Sequence, residues 1–179
     1  DLARDMGLGI RAGYMGGGTP TALSADQLGR VLDAAQSAFP GAKEWTVEAG
    51  RPDTIDREKL AVMRNRMVTR ISVNPQSFSD DTLSRIGRAH TAEDTRRAYH
   101  LARDMGFDHI NMDLIAALPG EGIPEFEASL RRTLELFPES VTVHTLAIKR
   151  SSRLHEAGYR QAAPETAAEM VEIARRSLT

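Results

Sequence analysis

The chain has 179 residues and carries 23 basic and 25 acidic side chains, for a net charge of −2. This length supports one domain with a substantial core, and the lack of a basic excess argues against a nucleic acid as the main partner. The apolar runs are too short to cross a membrane. The sequence contains no cysteine, which excludes disulfides and thiolate–metal sites within it and favours a cytoplasmic setting.

The first half of the sequence alternates strand-like and helix-like segments. In chain order it predicts a strand at 11–15, a glycine-rich turn at 16–20 and a helix from 24 onward. A strand at 44–48, a helix at 56–64 and a strand at 69–74 follow. Ser24 and Gln27 form a capping-box pattern, and Asp56 is a favourable residue for the start of the second helix. The helical period also places Val31 on the buried face of the first helix.

The second half continues the same alternation. It predicts a short helix, a longer helix that begins at Thr91, a strand, a helix with an apolar face, a last strand and a final helix with Pro164 in its first turn. The short helix lies at 80–86, the strands lie at 109–115 and 141–148, and the apolar face includes Phe126, Leu130, Leu134 and Phe137. Roughly five βα units of about 30 residues predict an α/β fold with a parallel sheet and helices outside it. A closed eight-unit barrel usually needs about 250 residues, so we expect a partial (β/α) barrel, with an open doubly wound sheet as the alternative.

Glycines and polar residues lie where the predicted strands end. Gly16 follows the first strand, Glu48 ends the second, Gln76 lies just past the third, and Asp113 lies near the end of the fourth. Because ligands bind at the carboxyl edge of parallel strands, we expect these residues to converge on one site. Three glycines at 16–18 let the backbone approach a ligand closely, although they also fit a tight turn. The pattern matches neither a Walker loop nor a dinucleotide fingerprint.

Five segments stand out, in this order: YMGGGTPT at 14–21, EAGRPDT at 48–54, RISVNPQS at 70–77, IGRAH at 86–90, and NMDLI at 111–115 followed by LPG at 118–120. Taken together, they resemble the radical S-adenosylmethionine (SAM) oxygen-independent coproporphyrinogen III oxidase family. The segments EAGRPD and VHTLAIKR are most similar to the HemZ-type coproporphyrinogen dehydrogenase branch. The resemblance implies a TIM-like radical SAM barrel of about five βα units, without its first strand and cluster loop. Residues 1–179 would then form a single partial domain of a longer protein.

The resemblance also implies which residues bind SAM: Gly16, Gly17, Gly18, Thr19, Glu48, Gln76, Arg88 and Asp113. The glycine-rich segment would hold the methionyl end of SAM through its backbone, and Glu48 would bind the ammonium group there. Arg88 would pair with the SAM carboxylate, while Gln76 and Asp113 would bond the ribose hydroxyl groups. Without the resemblance, an exposed ion pair of Glu48 with Arg88 and simple strand-end caps would explain these side chains.

The family binds a [4Fe–4S] cluster through a Cys-x3-Cys-x2-Cys segment, and such clusters need thiolate ligands. This chain has no cysteine, so the resemblance implies that the cluster ligands lie upstream of Asp1. A degenerate homologue without a cluster is the alternative. In both cases we expect the chain to be inactive in radical chemistry by itself. An electron donor would reduce the cluster of the full-length protein.

By resemblance, the function is that of an oxidoreductase in porphyrin and haem biosynthesis. It would convert propionate side chains of coproporphyrinogen III into vinyl groups by oxidative decarboxylation. Lys149, Arg150 and Arg153 follow the last predicted strand and would pair with substrate carboxylates, unless they belong to a solvated loop. Two other functions stay open: a radical SAM-like haem chaperone, and a (β/α) metabolic enzyme that binds phosphate at its glycine loop and uses no SAM.

Overall fold

The computed structural model describes residues 5–7, 9–148, 153–160 and 162–178. Its sheet has five strands in the order β1-β2-β3-β4-β5, and each strand runs parallel to the next. The strands are β1 (Ala12–Met15), β2 (Glu44–Gly50), β3 (Arg70–Val73), β4 (His109–Ala116) and β5 (Ser140–Thr145). The sheet curls into a half-barrel with helices outside it, which confirms the predicted fold class. A doubly wound sheet reverses its strand order at a switch point, and this sheet has no such reversal.

The described residues contain seven helices and two short 3₁₀ turns; the last two helices follow β5, and the others lie between strands. The helices are α1 (Ala25–Ala38), α2 (Arg57–Asn65), α3 (Asp80–Arg85), α4 (Ala92–Asp104), α5 (Ile123–Leu134), α6 (Arg153–Glu156) and α7 (Pro164–Leu178). The 3₁₀ turns are Pro20–Ala22 and Pro52–Thr54. The predicted caps are confirmed at Ser24, Asp56 and Thr91, whose side chains each accept a hydrogen bond from a backbone N–H of the first turn. Since each cap satisfies a free N–H group, these helix starts follow directly from the sequence.

The two faces of the sheet differ in polarity, as β4 illustrates. Ile110, Met112 and Leu114 are fully buried against the helices. Asn111 and Asp113 alternate with them and point to the opposite, concave face, because successive residues of a strand face opposite sides. One apolar cluster joins the sheet to α1, α2 and α4, and a second joins β4 and β5 to α5 and α7. The hydrophobic core therefore lies between the sheet and the helices, and the concave face is left to polar residues.

Two predictions of buried side chains are wrong. Phe137 is 82% exposed and has a φ of 55°, because α5 ends at Leu134 and the helical period does not extend to residue 137. Val31 is 45% exposed, since it lies at the edge of the buried stripe that Leu28 and Leu32 form on α1. The last strand is also shorter than predicted and ends at Thr145.

In the part of the chain that the structure describes, no helix has both the length and the hydrophobicity needed to span a bilayer.

Candidate functional site

The glycine-rich loop after β1 has a left-handed backbone at two positions and lies close to Glu48. Gly17 and Gly18 have φ values of 86° and 63°, a left-handed conformation that favours glycine. At Gly16 a Cβ atom would lie 2.7 Å from Oε2 of Glu48 and 2.7 Å from Cε1 of Tyr14, so both side chains would have to shift to make room for it. The loop backbone and the Glu48 carboxylate are therefore direct neighbours, as expected for two parts of one site.

Thr21 links this loop to the end of β2 by a hydrogen bond. Its buried hydroxyl group donates a hydrogen bond to the Ala49 carbonyl oxygen at 2.5 Å and lies 2.6 Å from the Thr54 hydroxyl group. Thr19 lies nearby, with its Cγ2 atom 3.6 Å from the position of a Cβ at Gly50. The glycine-rich loop is thus anchored against the strand that carries Glu48.

Gln76 follows β3 in an unusual backbone conformation. Its φ is 67°, although a side chain in this region costs roughly 1–2 kcal/mol. Its N–H donates to the Asp113 carbonyl oxygen at 2.9 Å, and its own carbonyl accepts from the Ile115 N–H at 2.9 Å. The predicted residues Gln76 and Asp113 are therefore held together by the backbone. Such strain is typical of functional sites, where surrounding contacts compensate for it.

This strain leads to a stability prediction. We expect Gln76→Gly to be more stable than Gln76→Ala by about 1 kcal/mol, because both variants remove the amide and only glycine adopts this φ without strain. Urea unfolding of the two variants would measure the difference. Equal unfolding midpoints with equal slopes would contradict a strained backbone at this position.

A charged cluster lies between the loops that follow β2 and α3. Arg51 donates two hydrogen bonds to Asp53, at 3.2 and 2.6 Å. The buried His90 ring has Nε2 3.1 Å from the Pro75 carbonyl oxygen and Nδ1 3.8 Å from Oδ1 of Asp53. Arg88 is partly buried, and this burial, together with the positive charge of Arg51, lowers its pKa. Among the described residues the Arg88 guanidinium group has no hydrogen-bond or ion-pair partner, so it is available to an anion.

His90 gives the fold a pH dependence. Burial lowers its pKa below 6.5; Arg88 and Arg51 also lower the pKa, whereas the Pro75 carbonyl and Asp53 raise it. Between the lowered pKa and 6.5 the unfolded chain binds more protons, so the free energy of unfolding falls as the pH drops through this window. We expect urea unfolding to show a smaller loss of stability from pH 7.5 to pH 5.5 in His90→Gln. His109→Gln, at an exposed histidine, is the matched control substitution.

The concave face of the sheet encloses a polar cavity of about 520 Å³, a volume within the range of small-molecule sites. Its lining includes Tyr14, Ser72, Asn111, Asp113, Thr142 and His144. Asp113 is the one predicted cofactor-binding residue in this lining. Its side chain is 15% exposed, Oδ1 accepts a hydrogen bond from Nδ2 of Asn111 at 2.6 Å, and Oδ2 lies 4.0 Å from Nε2 of His144. No described residue donates a hydrogen bond to Oδ2, so this oxygen can accept one from a ligand.

Two residues of this site were missed by the sequence predictions. Partial burial raises the pKa of Tyr14, and the nearby carboxylates of Glu48 and Asp113 raise this pKa further. Asn111 contacts Asp113 directly. The signal for Asn111 was its two-residue spacing from Asp113, because that spacing puts both side chains on one face of a strand.

The predicted substrate residues Lys149 and Arg150 lie outside the described residues. Arg153 begins α6, and its side chain also lies outside the description. Among the described residues no group of three His, Asp or Glu side chains could hold a metal ion. With no cysteine in the sequence, the chain offers no thiolate to an iron–sulfur cluster.

Comparison with known proteins places this geometry in a family. The family model described as the radical SAM superfamily matches residues 1–133. The chain is 49% identical over 166 residues to the oxygen-independent coproporphyrinogen-III oxidase-like protein HemZ of Bacillus subtilis, covering 90% of the chain and 33% of that protein. It is 36% identical over 139 residues to the heme chaperone HemW of the same organism, covering 76% of the chain and 36% of HemW. The chain therefore spans about a third of the length of these relatives.

Among solved structures, the chain is similar to coproporphyrinogen III oxidase (HemN) from Escherichia coli. The TM-score is 0.83 at 25% sequence identity, and the match covers 96% of this chain and 41% of that one. A solved structure of the radical SAM methyltransferase TsrM from Kitasatospora setae, which has cobalamin and a [4Fe–4S] cluster bound, is similar in fold, with a TM-score of 0.62 at 17% identity over 80% of this chain and 27% of that one. The half-barrel, the ordered motifs at its carboxyl edge and these similarities lead to one conclusion: this chain belongs to the radical SAM superfamily, among its coproporphyrinogen oxidase-like members.

Proposed function

We propose that this chain is the SAM-binding part of an oxygen-independent coproporphyrinogen III oxidase or dehydrogenase. The main support is the environment of Asp113. Its side chain is mostly buried in a polar cavity, and one of its carboxylate oxygens accepts no hydrogen bond from the described residues. A buried carboxylate is costly unless it is paired, so a ligand that donates hydrogen bonds explains this arrangement. The 49% identity to HemZ supports the choice of chemistry.

The chemical groups of SAM fit the charges of this edge of the sheet. SAM carries an ammonium group, a carboxylate and two ribose hydroxyl groups. Glu48, next to the glycine loop, would bind the ammonium group. Arg88, whose guanidinium group has no partner among the described residues, would bind the carboxylate. Gln76 and Asp113 would bond the ribose. The loop of Gly16, Gly17, Gly18 and Thr19 would contact the methionyl end through its backbone. When SAM and the cluster are bound, they supply the radical chemistry, while these residues orient and shield the cofactor.

The [4Fe–4S] cluster does not fit the residues of this chain. Iron–sulfur clusters require thiolate ligands, and the sequence has no cysteine. We propose that residues of a longer protein hold the cluster and that this chain is one partial barrel domain of it. The match to 33% of the length of HemZ supports this proposal. An electron donor would act on that longer protein.

The proposed substrate, coproporphyrinogen III, carries four propionates, and Lys149, Arg150 and Arg153 would pair with some of them. A haem chaperone is the second candidate, supported by the 36% identity to HemW. Membership of the radical SAM superfamily argues against an enzyme that binds phosphate and uses no SAM.

Anaerobic incubation of the cluster-loaded, full-length protein with SAM, a reductant and coproporphyrinogen III distinguishes the oxidase from the haem chaperone. Vinyl products support the oxidase; haem binding without turnover supports the chaperone.

The SAM site is tested by two substitutions in the cluster-loaded, full-length protein. We expect Asp113→Ala and Arg88→Ala each to weaken SAM binding by about 1–3 kcal/mol, the cost of losing a hydrogen bond to a charged group. Isothermal titration calorimetry would measure the affinity. Asp108→Ala and Arg30→Ala remove the same charges from exposed positions and should leave it unchanged. Unchanged affinity in both site variants would overturn the assignment.

A further inference from the structure

The side chain of Asn111 is held in one orientation by strand β5. Its Oδ1 atom accepts hydrogen bonds from the hydroxyl groups of Ser140, at 2.8 Å, and Thr142, at 3.0 Å. Ser140 and Thr142 both face the concave cavity, as Asn111 does. With two donors on its carbonyl oxygen, the amide has only its N–H groups left for other partners.

Those N–H groups point to Asp113. Nδ2 of Asn111 donates to Oδ1 of Asp113 at 2.6 Å and lies 3.5 Å from the Ser72 hydroxyl group. Rotating the amide by 180° would bring its carbonyl oxygen against the carboxylate, where two acceptors repel each other. A hydrogen bond to an ionised group is also about twice as strong as a neutral one. The β5 hydroxyls therefore determine which atom of Asn111 faces the acid.

From this geometry we infer that Asn111 is a positioning residue that fixes the Asp113 carboxylate for the ribose hydroxyl groups of the ligand. The inference rests on the proposed SAM site and adds a source of specificity to it. With Oδ1 occupied by Asn111, Oδ2 is left to the ligand and is fixed in direction. An acceptor that is fixed in direction binds more tightly a ligand that presents a hydroxyl group at that point. The site therefore selects ribose over deoxyribose, and Asn111, Ser140 and Thr142 set the strength of that selection.

The test compares two ligands, S-adenosyl-L-homocysteine and its 2′,3′-dideoxy analogue, by calorimetry with the full-length protein. We expect the parent protein to prefer the hydroxylated ligand at least about tenfold. Asn111→Leu and Asn111→Asp should reduce this ratio toward the value of Asp113→Ala. A residue that only supported the fold would weaken both ligands equally and keep the ratio, so the ratio separates the two roles.

A double variant covers the case in which the Asn111 variants fail to fold. Ser140→Ala with Thr142→Val frees the amide without altering it, and it should also reduce the ratio. Thr145→Val is the control: it makes a similar change on the other face of β5 and should keep the parental ratio of ligand affinities. A parental ratio in the folded Asn111 variants, or in the double variant if those do not fold, would overturn the inference and leave the SAM site intact. If the parent protein bound the hydroxylated and dideoxy ligands equally well, both the inference about Asn111 and the proposed ribose contacts of the SAM site would be overturned.

Discussion

Replacing Phe107 by alanine is expected to lower the free energy of unfolding by about 3–5 kcal/mol. Phe107 is 1% exposed and belongs to the main apolar cluster. The Arg64 guanidinium group also lies over its ring, 5.3 Å from the ring centroid, so the substitution removes a cation–π contact together with the buried surface. It leaves a cavity where α4 leads into β4, the strand that carries Asp113.

Phe137→Ala is the matched control for this substitution. Phe137 has the same side chain but is 82% exposed, so its truncation should change stability by less than about 0.5 kcal/mol. Urea unfolding followed by far-UV circular dichroism would measure both variants. Similar losses at both positions would contradict the burial of Phe107.

Replacing Gly13 by alanine is expected to lower the free energy of unfolding by about 3 kcal/mol, the upper end of the usual cost of overpacking. A Cβ atom at Gly13 would lie 2.4, 2.5 and 2.7 Å from three carbons of the Trp45 ring. The ring is buried and rigid, and it cannot yield as the end of a flexible side chain would. The nearby strand end bears the glycine-rich loop, so the added methyl group also disturbs the site.

Gly9→Ala provides the control, because a Cβ there meets no atom within 4 Å, and it should be close to neutral. The chain contains one tryptophan, which is Trp45 itself. Its fluorescence therefore reports both the unfolding transition and the local repacking. If Gly13→Ala unfolded at the same urea concentration as Gly9→Ala, the close packing of β1 on β2 would be refuted.

The sequence was sufficient for features that depend on local patterns. The five strands were predicted near their observed positions, and the caps at Ser24, Asp56 and Thr91 were located correctly, because alternation and capping involve residues close in the chain. The strand ends also predicted that Gln76 and Asp113 would come together. The error at Phe137 arose because the apolar period was extended to it, although Pro138 follows and a helix usually ends at or before the residue that precedes a proline.

Other features depend on residues far apart in the sequence. The left-handed backbone of Gln76 is held by pairing with β4. Asn74-Pro75 indicates a turn at this point, but no glycine marks position 76 as left-handed. The role of Asn111 requires Ser140 and Thr142, about thirty positions away and joined only through strand pairing. Such couplings become visible only when the strands are placed side by side.

The division of the sheet into a polar concave face and an apolar outer face has an evolutionary consequence. Along β4, stability depends on Ile110, Met112 and Leu114, whereas ligand contacts depend on Asn111 and Asp113. Neighbouring codons are therefore under different kinds of selection. The concave positions can diversify toward new ligands while the alternate positions keep the barrel folded. In a deep mutational scan, fitness effects along this strand should alternate between loss of abundance and loss of activity at normal abundance.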